Sequence, residues 1–118
     1  MPDLSAPSAF EMLREQYARR LPASLDELAG PTSGTVELPL HVVWSGRRSY
    51  GLDRPRSRMS LYRTVLAEGQ RQDVVSFLSR DLLVAQWPIL RTLISRPLRD
   101  AWEAAFPELP TDTTTAAA

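Results

Sequence analysis

The sequence predicts a single, mainly helical α+β domain, with five or six short helices packed on one short β-strand or two-stranded hairpin. Three observations carry that expectation. At 118 residues the chain is long enough for one compact domain and too short for two ordinary ones. Ten prolines against five glycines cut it into short elements with defined ends. The apolar residues recur at three and four along most of the chain but switch once to a period of two, over residues 35–44.

Residues 1–7 hold two prolines and little to bury, and the tail at 110–118 ends in TDTTTAAA. Both are expected to be disordered, which leaves 8–109 as the domain. From Ser8 a helix is expected, with Phe10, Leu13, Tyr17 and Leu21 on its inner stripe and Pro22 as its stop. Ser24-Leu25-Asp26-Glu27 reads as a capping box opening a short helix that Gly30 closes. Over 35–44, Val36, Leu38, Leu40, Val42 and Trp44 alternate with Thr35, Glu37, Pro39, His41 and Val43, a strand with one buried face. Pro39 lies on its outward side, which makes it an edge strand. Ser45-Gly46 turns the chain, and residues 48–52 return as a second strand. Asp53 then supplies an acceptor and Pro55 a first-turn proline for a helix through Glu68, stopped by Gly69. Val74, Val75, Phe77 and Leu78 mark a further helix. Ser79 caps another over 80–87, with Leu82, Leu83, Ala85 and Trp87 buried. Pro88 breaks it and starts a piece through Ile94. Pro97 opens the last helix, with Leu98, Ala101, Trp102, Ala105 and Phe106 inward and Pro107 as its end.

Composition excludes several chemistries. Without cysteine there is no thiolate nucleophile, disulfide or Cys-type zinc site, and without lysine no Schiff base or phosphate-loop lysine. His41 is the one histidine, with no spaced companions for a metal or a triad. Glu11/Glu15 and Asp100/Glu103 each share a helix face, the pattern of solvated, ion-paired surfaces more than of an acid–base pair. No Gly-x-Ser-x-Gly elbow and no glycine-rich cradle occur. The expectation is a protein that is not an enzyme, with no catalytic residues, metal or cofactor. The opening lacks a basic segment followed by an apolar core, and no apolar run approaches a membrane span, so a cytoplasmic location is expected.

Net charge is zero but unevenly spread. Residues 44–63 carry six arginines against one aspartate, while 97–118 hold four acids against one arginine. The functional reading of the basic stretch takes Arg47, Arg48, Arg54, Arg56, Arg58 and Arg63 as contacts to an anionic partner, with Trp44 and Tyr50 as aromatic platforms. That partner is either an acidic protein or a DNA or RNA strand. The bland alternative is a solvated flank whose arginines pair with the acidic terminal helices. Around the helix, Arg56 and Arg63 fall on one side of the apolar stripe and Arg54 and Arg58 on the other. The edge strand offers free backbone groups for a partner strand, including that of a second copy in a homodimer.

The order of packing motifs adds a resemblance. A strand LPLHVVWSG is followed by Tyr50, Leu52, Asp53 and Pro55, then by MSLYRTVLAEG. DVVSFLSRDLLVAQWP and a terminal AWEAAFPEL complete the series. Over about 35–109 this resembles a group of small actinobacterial proteins found beside abortive-infection-type nucleotidyltransferase toxins, in the place of an antitoxin or transcriptional regulator. The resemblance implies a regulatory protein of a toxin–antitoxin pair that binds and neutralises a partner enzyme by protein–protein interaction, with operator DNA as a second ligand.

Overall fold

The computed structural model describes residues 8–43, 46 and 48–110. Among them are five α-helices and one two-stranded antiparallel hairpin, an α+β fold. The helices are α1 (Ala9–Ala18), α2 (Pro55–Glu68), α3 (Arg71–Phe77), α4 (Arg80–Leu90) and α5 (Arg96–Ala105). A 3-10 turn (Leu25–Glu27) lies between α1 and the hairpin strands β1 (Thr35–Glu37) and β2 (Ser49–Gly51). None of the described helices is long and apolar enough to cross a membrane.

Helix α2 is the hub. It touches β2, α3 and α4, and it buries Leu61, Tyr62, Val65 and Leu66. Its limits match the proline and glycine that bracket it. Pro55 supplies the preset φ of a first helical residue, and the backbone of Gly69 is extended. Around it the core gathers Leu25, Leu78, Leu83, Trp87 and Leu90, all fully buried. Trp87 continues through Trp102 to Phe106 by tilted ring contacts of 6.4 and 5.3 Å, which ties α4 to α5.

The Tyr62 hydroxyl lies inside this core and accepts a hydrogen bond from the Ser79 backbone N–H at 2.9 Å. Burial pushes its pKa up, against the pull of that bond and of the Arg58 charge. Tyr62→Phe therefore keeps the ring but orphans a buried N–H at the start of α4. The expected cost is about 1–3 kcal/mol, read as a lower urea midpoint with unchanged far-UV dichroism.

Several expectations are corrected. The strand stops at Glu37 instead of running to residue 44. Proline has no N–H to extend the ladder, and the chain turns at Pro39, whose carbonyl accepts from Val42 N–H at 3.0 Å. Leu40, expected on the buried face, is 61 % exposed as a result. Asp53 is not the cap of α2. The residue before a proline avoids helical dihedrals, so Arg54 takes that place with φ −103° and ψ 117°. Pro88 lies inside α4 and does not break it. It comes within the last turn, where it costs one backbone bond while Trp87 and Leu90 on either side are fully buried. The piece expected through Ile94 is a series of turns. Ser24 caps only a 3-10 turn. Helix α1 ends at Ala18 with no fully buried residue and leaves Leu13 44 % exposed. It rests on α5 through an Arg14–Asp100 ion pair and the Phe10 ring beside Arg96. Ala85 and Ala105, expected inward, face solvent.

Candidate functional site

The basic stretch folds into the hairpin and the first turns of α2, and its arginines meet different fates. Arg58 turns inward: one terminal nitrogen donates to the Leu52 carbonyl at 3.2 Å, and its Nε is buried with no acceptor among the described residues. It is a strut between hairpin and helix. Beside it the Ser57 hydroxyl accepts from Gly51 N–H at 2.9 Å, closing the same junction. Arg48 reaches across the hairpin to Glu37 at 3.5 Å. Tyr50 pairs opposite Val36 and is 5 % exposed, so its ring belongs to the core and is no stacking platform. Trp44 and Arg47 lie outside the described residues.

Arg54, Arg56 and Arg63 are left. All three are exposed. The other described arginines outside the stretch have partners. Arg14 pairs with Asp100, Arg19 with Glu15, Arg71 with Glu27, Arg80 with Asp26 and Arg91 with Glu103. Arg20 and Arg99 bond carbonyls, and Arg96 lies on a ring. Among the described residues, Arg54, Arg56 and Arg63 are the arginines whose side chains make no hydrogen bond, ion pair or ring contact to another described residue. The acidic terminal helices do not absorb them.

The placement of Arg54 and Arg56 opposes the helix. The first turn of α2 holds no acidic residue, its cap residue Arg54 makes no side-chain cap bond, and Arg56 follows at the second position. Free N–H groups and the macrodipole already make that end positive. Each added guanidinium there works against helix stability by about 0.3–1 kcal/mol. Arg54 borders two shallow depressions, one shared with Pro55, Arg56 and Ser57 and one with Gly34, Thr35 and Ser49 of the hairpin. Arg56 and Arg63, seven residues apart, share a side of the helix with about 10.5 Å of rise between them.

Sequence reasoning missed two carboxylates. Asp73, with its side chain 4 % exposed, accepts from Gln70 N–H at 2.8 Å and holds Nε2 of His41 at 2.9 Å from both oxygens. Its spacing from Gln70 is that of a capping box, a signal present in the sequence. Among the described residues no cluster of three or more His, Asp or Glu could hold a metal, and the His41–Asp73 pair fastens the turn after β1 to the start of α3. Glu103 is the second. Its spacing from Asp100 predicts a solvated pair, yet it accepts from Trp87 Nε1 at 2.9 Å and from Arg91 Nε at 2.6 Å. No family model, curated protein or solved structure matches this chain.

Proposed function

We propose that this protein is a non-catalytic, antitoxin-like binding protein whose α2 arginines, Arg54, Arg56 and Arg63, grip an acidic face of a partner protein. The resemblance supplies the kind of partner, a nucleotidyltransferase toxin. The observation that carries the reading is a helix that begins with arginines, lacks a side-chain cap and leaves three guanidinium groups without a partner among the described residues. A local rule broken with no compensation inside the fold is what a binding surface leaves behind. The three-residue strands offer little backbone for strand addition, which shifts the grip from the hairpin edge to the helix.

Magnitude separates this from the alternative of a DNA- or RNA-binding regulator. Three phosphate contacts give a salt slope of about −2.7 on logarithmic axes, and a chain of zero net charge adds no long-range attraction. Three such contacts support weak duplex binding at physiological salt. On a desolvated protein surface, arginines are among the residues that carry binding energy.

The test is co-expression with the product of the adjoining open reading frame, followed by affinity measurement and a nucleotidyltransferase assay. The wild type is expected to form a stoichiometric complex that silences the enzyme. Arg56→Glu with Arg63→Glu should weaken it tenfold or more. Arg54→Ser should weaken it as well while raising folding stability by about 1 kcal/mol, because serine caps the helix. Unchanged affinity in these variants defeats the reading. Duplex binding by the wild type that the same variants abolish would transfer the site to nucleic acid.

A further inference from the structure

Arg63 belongs to two surfaces. Along α2 it continues the exposed line from Arg56. Sideways it borders a groove whose other walls are Tyr17 of α1 and the turn at residues 93–95. Its lining mixes polar and apolar groups: Leu98 is buried and Ile94 partly so, while Leu93, 45 % exposed, presents a large apolar side chain at the rim. Arg20 closes part of this wall, its guanidinium 5.6 Å from the Tyr17 ring centroid and one nitrogen 3.4 Å from the Ala67 carbonyl. Glu68 adds a single negative charge five residues beyond Arg63 on the same helix.

We propose that this groove seats an acidic amphipathic α-helix of the partner protein, an inference that rests on the reading of the α2 arginines given above. The exposed Leu93 and half-buried Ile94 beside Arg63, which has no side-chain partner among the described residues, call for an occupant that is apolar on one face and carboxylate-bearing beside it. The arginines set its period. Arg56 and Arg63 are separated by about 10.5 Å of helix rise, so a helix laid along α2 meets both with carboxylates seven residues apart. Apolar side chains three and four positions from either carboxylate then face the groove. Glu68 disfavours a third acid on the part of the occupant that lies beside it. A nucleic-acid backbone would leave Leu93 and Ile94 uncovered. An extended strand would find no ladder here, since both β-strands lie on the hairpin.

The test is NMR titration of the isotope-labelled full chain with two synthetic helical peptides and a DNA duplex. The first peptide carries glutamates seven positions apart with leucines between them, and the second has serine in place of each leucine. The first is expected to shift the amides of Arg56, Arg63, Thr64, Leu93 and Ile94, and to bind at least tenfold tighter than the second. Leu93→Ser, at an exposed turn position, should remove most of that advantage and leave the second peptide unaffected. Equal binding of both peptides, with shifts confined to α2, overturns the groove and leaves the arginine reading intact. Absence of shifts at Arg56 and Arg63 with either peptide overturns both, as does perturbation of these residues by the duplex alone.

Discussion

Glu103→Ala is expected to cost about 2–4 kcal/mol, more than any other single truncation of a polar side chain here. The carboxylate is the shared acceptor of two donors, one on α4 and one on the residue that caps its C-terminus. Trp87 is fully buried, so its indole N–H has no route to water once Glu103 is gone. The Arg91 side chain, 22 % exposed, can regain part of its hydration, which holds the estimate below that for a wholly buried pair. Glu103→Gln keeps an acceptor for Trp87 and loses only the charge, so about half the cost should remain. The pH dependence follows from the same contacts. Burial pushes the Glu103 carboxyl up, but the Arg91 and Trp87 hydrogen bonds and the charges of Arg91 and Arg99 outweigh it, leaving its pKa below the ordinary value of 4.5. A carboxyl depressed by folding contributes stability that is fully present above its unfolded pKa and is lost as pH falls through the folded one. Urea midpoints of the wild type should therefore decline below about pH 4.5, and Glu103→Gln should decline less over the same range. Parallel curves for the two proteins would show that this carboxylate does not couple to folding.

The sequence makes some of these features visible and hides others for identifiable reasons. Helix α2 is legible at both ends because Pro55 and Gly69 act through their own backbone, whatever surrounds them. Alternation marks Val36 and Leu38 correctly but carries Leu40 to the wrong side, since a period of two cannot show where proline ends the ladder. Pro88 misleads in the opposite way: its local cost is real, but tertiary burial of Trp87 and Leu90 exceeds it. The arginine stretch is plain as composition, while the role of each member is not. Arg58 and Arg56 are two residues apart, yet one reaches into a backbone carbonyl of the hairpin and the other faces water. That difference depends on where β2 delivers Leu52, a long-range result that no local window contains. Glu103 is obscured likewise, because its partners are 12 and 16 residues away, at the cap and in the last turn of another helix.

Gly30→Ala is expected to destabilise the fold by about 3 kcal/mol, through contact and not through dihedral angle. A β-carbon there would collide with the Phe77 carbonyl carbon and lie 2.5 Å from both the Phe77 oxygen and the Leu78 nitrogen. These are backbone atoms at the end of α3, and no side-chain rotation can clear them. The two segments must separate by most of an ångström. That strains the bonds from Ala29 N–H to the Val75 carbonyl and from Gly30 N–H to the Leu78 carbonyl, each 2.8 Å long. The same movement loosens the core cluster to which Leu25, Leu28 and Leu78 all belong. It also disturbs Ser79, which bridges to Ala29 and donates to Tyr62 of α2, so damage at a loop reaches the central helix. Gly34 is the control. It has φ +86° with open space around its would-be β-carbon, so Gly34→Ala incurs only the left-handed backbone penalty of about 1–2 kcal/mol. Denaturant midpoints should place Gly30→Ala clearly below Gly34→Ala. A reversed order would mean that the 28–30 segment yields easily, and that the bridge to Ser79 contributes little to holding α3 and α4 against α2.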